Sequence, residues 1–139
     1  HMDEMFKTWH ESKCKDKIRW LDYVNDDDLS PLYSGASAFA YPSIVEGFGL
    51  PILEAMSVGC PVLTSNCSSM PEAAGDAALY VDPFDIDSIC DGLLKITNDS
   101  DLRSRLSRSG KDRVALFTWE RTAKEMIKVY KKASDMRRS

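Results

Sequence analysis

The stretch from residue 38 to residue 62 constrains the fold of this chain most strongly. It begins with an apolar run at 38–41, which predicts a short buried strand. Gly47 and Gly49 follow within a few residues, and Pro51 then precedes a run of strong helix formers. Because proline is favoured in the first turn of a helix, this order predicts a strand, a glycine-containing loop and a helix.

A loop that opens a helix at the carboxyl end of a strand presents free backbone N–H groups, which bind anions and phosphate above all. Glu46 lies directly before the loop glycines, and Glu54 lies in the predicted helix. Since carboxylates accept hydrogen bonds from hydroxyl groups, this combination suits a ligand that carries both phosphate and hydroxyls. A sugar nucleotide is such a ligand. Taken alone, the two glutamates could instead be a loop cap and an exposed helix residue.

Strands and helices alternate along the rest of the chain. The predicted strands cover residues 17–21, 37–41, 61–65 and 77–81. This alternation predicts the α/β class, with a partial Rossmann-like parallel sheet flanked by helices. Ligands of such sheets bind in the loops at the carboxyl ends of strands, and the loop containing Tyr23 and Val24 would be one of them.

Two local patterns give further expectations. Ser69 and Glu72 have the spacing of a capping box, which predicts that the Ser69 side chain caps a short helix. The last predicted helix carries Met126, Ile127 and Tyr130 on one face, which we expect to pack inward.

The distribution of charge is uneven along the 139 residues. Residues 1–94 carry 5 basic and 16 acidic side chains, whereas residues 95–139 carry 13 basic and 6 acidic ones. No aromatic residues lie between the arginines of the stretch 103–113, so we interpret the basic third as a solvated helical surface and expect no nucleic-acid partner. Peripheral contact with an anionic membrane surface stays open.

The four cysteines include no Cys-x-x-Cys pair. This spacing argues against a metal site and fits a reducing cytoplasm, so we expect a cytoplasmic protein without a bound metal.

The central stretch also resembles the E-x7-E signature of the family 4 retaining glycosyltransferases, which have the two-domain GT-B fold. The matching letters are E-G-F-G-L-P at 46–51, E-A-M at 54–56 and G-x-P-V at 59–62. The similarity continues over residues 18–130.

The resemblance implies a donor site made of Tyr23, Val24, Glu46, Gly47, Phe48, Gly49, Leu50 and Glu54. Glu46 would hold a hydroxyl of the transferred sugar, and Glu54 would bind the ribose hydroxyls. The N–H groups of residues 48–50 would hold sugar hydroxyls and the diphosphate. The loop at 23–24 would lie along the base.

The implied reaction is transfer of a hexose from a UDP- or GDP-sugar to an acceptor hydroxyl with retention of configuration, without a metal or cofactor. Glu46 is the candidate catalytic residue, as a positioner of the sugar rather than a nucleophile. The helix start would stabilise the departing pyrophosphate as its charge develops. Synthesis of bacterial surface polysaccharide or glycolipid is the biological setting most frequent in this family.

The front of the chain departs from the family pattern. We interpret His1-Met2 as a cloning scar left by removal of a tag. We interpret residues 3–139 as a truncated C-terminal donor domain, because no acceptor domain or Gly-Arg-Leu…Lys segment precedes residue 18. A carbohydrate or lipid-linked acceptor would bind the missing N-terminal domain, so we expect the isolated chain to be inactive and to bind the donor weakly or not at all. The alternative is a free-standing, non-catalytic α/β nucleotide-binding or interaction module.

A sheet without its first strands would also leave the strand at 17–21 without neighbours and expose an edge at 37–41. Exposed edges recruit other chains. We therefore expect the strand to pair elsewhere, or the chain to form a homodimer through this edge.

Overall fold

The computed structural model describes residues 2–136, apart from the side chain of Met2, so the cloning-scar interpretation of His1 lies outside the described residues. The helices are α1 (Met2–Glu11), α2 (Asp26–Gly35), α3 (Leu50–Ser57), α4 (Met70–Ala74), α5 (Ile86–Asn98), α6 (Ser100–Val114) and α7 (Trp119–Met136). The strands are β1 (Phe39–Tyr41), β2 (Val62–Ser65) and β3 (Ala78–Val81). Two single 3-10 turns cover Lys15–Lys17 and Gly75–Ala77.

The three strands form one parallel sheet in the order β1-β2-β3. Phe39 lies beside Val62, and Val62 lies beside Ala78. The prediction of an α/β protein with a parallel sheet flanked by helices is therefore confirmed. Because the strands are parallel, the loops that follow β1 and β2 meet at one edge of the sheet.

Successive residues of β2 point to opposite faces of the sheet, and each face has its own apolar cluster. Val62 belongs to the cluster formed with α3 and α4, which includes the fully buried Ile52 and Met70. Leu63 belongs to the cluster formed with α5 and α6, which includes Ile96. The loop after β1 thus begins between two packed layers.

The predicted strand at 17–21 is wrong. Residues 18–25 form no regular structure, and Trp20 packs on Phe6 of α1 with ring centroids 4.9 Å apart. A strand requires a neighbour for its backbone hydrogen bonds, and among residues 2–136 no strand lies beyond β1 to provide one. The expected open edge at β1 is present, whereas a homodimer through it stays a prediction.

The expectation that the last helix packs inward is also wrong. Met126, Ile127 and Tyr130 are 47%, 52% and 63% exposed. The helix is amphipathic, as its sequence indicates, but none of its described residues is buried.

Candidate functional site

Glu46 lies in the loop between β1 and α3, and its carboxylate is held on one side. Oε1 of Glu46 accepts a hydrogen bond of 2.6 Å from the Tyr41 hydroxyl at the end of β1 and one of 2.8 Å from the Ser43 hydroxyl. These two bonds, the one from Tyr41 first, hold the pKa of Glu46 below its ordinary value. The side chain is therefore an ionised acceptor at neutral pH. No described residue binds Oε2, which is available to a ligand hydroxyl.

The backbone of Glu46 is fixed by the loop that follows β2. The Ser69 hydroxyl donates to the Glu46 carbonyl at 3.0 Å, and the Ser68 hydroxyl lies 3.3 Å from both the carbonyl and the N–H of Glu46. Ser68 has a φ of 55°, a conformation that costs a non-glycine residue energy. The predicted capping box of Ser69 and Glu72 is wrong, because the Ser69 hydroxyl caps no N–H of α4 and binds Glu46 instead.

The start of α3 presents unused donors. Among the described residues, the N–H groups of Phe48, Gly49 and Leu50 donate no hydrogen bond. Gly49 is the N-cap residue of α3 and has the left-handed values φ 95° and ψ 41°, which turn the chain into the helix. Pro51 occupies the first turn, where its missing N–H costs nothing. The predicted strand–loop–helix arrangement is confirmed in all three parts.

The other side chains of this loop point in different directions. Phe48 is half-buried, and its ring packs against that of Phe117. Leu50 is 59% exposed, and a Cβ built on Gly47 would meet no atom within 4 Å. The space beside Gly47 is therefore open to a ligand.

Glu54 is connected to Glu46 by a row of aromatic rings. The ring centroids of Tyr33 and Phe39 are 5.0 Å apart, and those of Phe39 and Tyr41 are 5.6 Å apart. Tyr41 binds Glu46 at one end of this row. At the other end, Tyr33 and the exposed Glu54 line a cavity of about 290 Å³ between α2 and α3.

The two glutamates at the ends of this row affect the pKa values of Tyr33 and Tyr41. Burial first, and then the negative charge of Glu54, raise the pKa of Tyr33. Burial first, and then the hydrogen bond to Glu46, raise the pKa of Tyr41 to about 12. Both phenols are therefore neutral donors at neutral pH, and both carboxylates border the same aromatic surface.

Tyr23 and Val24 lie on the other side of α2. They line a second cavity, of about 550 Å³, together with Asn25, Asp28 and Leu32. Tyr23 is 85% exposed. Since the first turn of α2 borders both this cavity and that of Glu54, the two cavities are neighbours, but the described contacts do not join Tyr23 to either glutamate.

Several residues of the site were not recognised from the sequence. These are Tyr33, Tyr41, Ser43, Ser68 and Ser69. Tyr41 and Ser43 lie within five residues of Glu46, so the polar content of the loop was the one local signal that could have indicated them. Within residues 2–136, no group of His, Cys, Asp and Glu side chains could hold a metal ion. None of the helices described is long and apolar enough to cross a membrane.

The parallel sheet and the glycine loop at the end of β1 define a Rossmann-like α/β domain of the kind found in GT-B glycosyltransferases. The chain belongs to the glycosyl transferases group 1 family, whose family model matches residues 1–113.

Two relatives agree with this assignment. The chain is 47% identical over 114 residues to the O-antigen chain mannosyltransferase B of Escherichia coli, which covers 82% of this chain and 30% of that protein. It is 33% identical over 127 residues to the MMP alpha-(1->4)-mannosyltransferase of Mycolicibacterium hassiacum, which covers 88% of this chain and 31% of that protein. The chain thus spans about 30% of the length of these relatives.

Two solved structures have the same fold. The sucrose-phosphate synthase of Thermosynechococcus elongatus superposes with a TM-score of 0.79 at 28% identity, over 96% of this chain and 34% of the other. The C-terminal domain of a glycosyl transferase group 1 family protein from Francisella tularensis superposes with a TM-score of 0.67 at 29% identity, over 83% of this chain and 63% of the other.

Proposed function

We propose that this chain is the C-terminal, donor-binding domain of a family 4 retaining glycosyltransferase. The observation that carries the proposal is the start of α3, where the N–H groups of residues 48–50 have no partner among the described residues. A carboxylate with one fixed and one available oxygen, that of Glu46, precedes them. N–H groups suit phosphate oxygens, and a carboxylate suits sugar hydroxyls.

In this proposal the diphosphate of the donor lies at the start of α3. The partial positive charge of a helix N-terminus favours an anion there, and it favours the leaving nucleotide diphosphate most as its negative charge grows. Leaving-group stabilisation of this kind does not require a metal ion, so we propose a metal-independent reaction without a cofactor.

Glu46 and Glu54 would bind hydroxyl groups at two parts of the donor. Glu46 is ionised at neutral pH, and its free Oε2 would accept from a hydroxyl of the sugar. Glu54 is exposed beside the Tyr33 ring, where it would accept from the ribose hydroxyls. Tyr23 and Val24, in the neighbouring cavity, would contact the base.

The transfer would proceed on one face of the sugar. The bond between the anomeric carbon and the phosphate oxygen breaks, and the acceptor oxygen bonds to the same carbon from the same side. Because the new bond forms on the side from which the phosphate leaves, the configuration is retained. The acceptor proton passes to the departing phosphate oxygen, and no covalent enzyme intermediate forms. Glu46 positions the sugar in this scheme, since its carboxylate is restrained by Tyr41 and Ser43.

The names of the relatives suggest the sugar and the setting. Both curated relatives described above are mannosyltransferases, and one is named for the O-antigen chain. We propose a mannosyl donor, carried on UDP or GDP, and a carbohydrate or lipid-linked acceptor in surface polysaccharide synthesis at the cytoplasmic side of a membrane. The acceptor would bind the remaining part of the full enzyme, so the 139-residue chain alone should not transfer sugar.

Titration of the ¹⁵N-labelled chain with UDP and with GDP, followed by NMR, tests donor binding directly. The amide signals of residues 48–50 should move with nucleotide concentration. Glu54→Gln removes a charged acceptor and should weaken binding about tenfold. Glu11→Gln, which changes an exposed carboxylate of α1, should leave the affinity unchanged. Nucleotide shifts that avoid residues 48–50, or equal affinities in both variants, would refute the proposed site.

A further inference from the structure

Arg113, in the last turn of α6, binds the C-terminal end of α4, the helix that packs beside α3. Its Nε donates to the Ala73 carbonyl at 3.0 Å, and its Nη2 donates to the Glu72 carbonyl. These two carbonyls belong to the last turn of α4 and have no acceptor role within that helix. The planar guanidinium, which presents donors in a fixed geometry, therefore fixes α4 to α6.

The chain leaves space for this guanidinium. Gly75, which ends α4, has a φ of 55°, and a Cβ built on it would lie 3.1 Å from Nε of Arg113. Glycine is the one residue that satisfies both the left-handed backbone and the close approach. The position of Arg113 is thus defined by the backbone around it.

Arg113 reaches Gly49 through α4. A Cβ built on Gly49 would lie 3.7 Å from the Ala73 Cβ, so the side chain of Ala73 packs against Gly49, the N-cap of α3. Arg113 binds the carbonyl of this same Ala73. A movement of α4 away from α6 would therefore withdraw the support under Gly49.

Arg113 reaches Phe48 through a second contact. The guanidinium carbon lies 4.9 Å from the ring centroid of Phe117, and the Phe117 ring meets the Phe48 ring edge-on, with centroids 5.7 Å apart. Arg113 thus supports two successive residues of the loop, Phe48 and Gly49, by independent routes.

We propose that Arg113 is a positioning residue of the donor loop, and that it sets the direction of the N–H groups of residues 48–50. The proposal rests on the proposed function, in which these N–H groups bind the diphosphate. The contacts that carry this role run through Ala73 and Phe117, so Arg113 would act on the donor indirectly.

Arg103 provides a matched control within the same helix. Its Nη1 donates to the carbonyls of Ile96 (3.0 Å) and Thr97 (2.6 Å) at the end of α5. It thus binds two carbonyls at a helix end, as Arg113 does, but its described contacts do not include the loop. A purely stabilising role would make the two arginines equivalent.

The experiment compares Arg113→Ala and Arg103→Ala in the 139-residue chain by ¹⁵N NMR and by thermal unfolding. Arg113→Ala should move the amide signals of residues 48–50 without any nucleotide present, whereas Arg103→Ala should leave them in place at a similar loss of stability. In UDP and GDP titrations, Arg113→Ala should bind about tenfold more weakly than Arg103→Ala, the size that residues acting through neighbours usually have. Arg113→Lys keeps the charge but not the two-carbonyl geometry, and should restore the amide positions only in part.

The readout without nucleotide separates this proposal from the proposed function. If the loop amides move only in Arg113→Ala, but nucleotide shifts in the unchanged chain avoid residues 48–50, the proposed function fails and the positioning role stands. Loop amides that stay in place in Arg113→Ala, or that move equally in both variants, would overturn the positioning role. If Arg113→Ala does not fold, Phe117→Leu and Arg113→Lys replace it. Loop amides that move in these variants support the positioning role, and loop amides that stay in place overturn it.

Discussion

Gly49→Ala is the substitution that tests the geometry of the candidate site most sharply. Gly49 has a φ of 95° and is the N-cap of α3, so its backbone sets where the N–H groups of Phe48 and Leu50 lie. An alanine at this position either holds the strained backbone conformation or moves the loop. Both responses should be measurable, one as lost stability and the other as displaced amide signals.

The size of the effect follows from three contributions. A left-handed conformation costs a non-glycine residue about 1–2 kcal/mol. The new Cβ would lie 3.2 Å from Cδ1 of Ile52, which is fully buried and has little room to move, and this contact adds to the cost. Alanine also restricts the unfolded chain, which offsets about 0.4–1 kcal/mol. We expect a net destabilisation of about 1–2 kcal/mol, or a fall of roughly 3–6 °C in the melting temperature for a chain of this size.

Gly47→Ala is the control in the same loop. Gly47 has no left-handed φ, and a Cβ there would meet no atom within 4 Å. Its effect on the free energy of unfolding should stay within about 0.5 kcal/mol. Urea unfolding of the unchanged chain and both variants gives the stability readout. UDP and GDP titrations of the unchanged chain and Gly49→Ala give the binding readout, because a methyl group at Gly47 would itself enter the proposed ligand space. If Gly49→Ala is as stable as Gly47→Ala and binds nucleotide as tightly as the unchanged chain does, the left-handed turn does not define the site.

Two further predictions concern the aromatic row and the packing of α5. The Tyr41 phenol should titrate at about 12 in ¹³C NMR, so the stability from its neutral form is complete below pH 10.0 and is lost as the pH rises through about 12. Glu46→Gln should lower this pKa without restoring 10.0, because burial is the larger cause; an unchanged pKa would contradict the contact. Gly92→Ala would place a Cβ 2.4 Å from Cγ1 of Val81, and the overpacking cost of about 1–3 kcal/mol should exceed the gain of about 1 kcal/mol from alanine in a helix. Urea unfolding measures the change in stability, and a more stable Gly92→Ala variant would contradict this prediction.

The local path of the backbone around the site could be predicted from the sequence. A strand, a loop turning at glycine and a helix opened by proline follow from preferences that act over a few residues, and β1, Gly49 and α3 have these roles. The α/β class followed in the same way, because alternation of strand and helix signals is itself a local pattern.

The arrangement of the carboxylates depended on contacts that no local pattern reports. Ser68 and Ser69 bind the backbone of Glu46 from 22 and 23 residues away. Arg113 binds the carbonyl of Ala73 from 40 residues away. The serine contacts exist because parallel strands bring the loops that follow β1 and β2 to one edge of the sheet, whereas the arginine contact exists because α6 packs beside the end of α4. The sequence around each residue gives no sign of its distant partner.

The same reason explains the two elements that were predicted wrongly. Residues 17–21 have the composition of a strand, and α7 has the apolar stripe of a packed helix. An apolar stripe on a helix or an apolar run in a strand determines which residues could be buried. Burial itself requires that another helix or strand packs against them. The sequence therefore determined the turn at Gly49 and the helix that follows it, and the tertiary structure decided which side chains surround Glu46 and which apolar surfaces remain exposed.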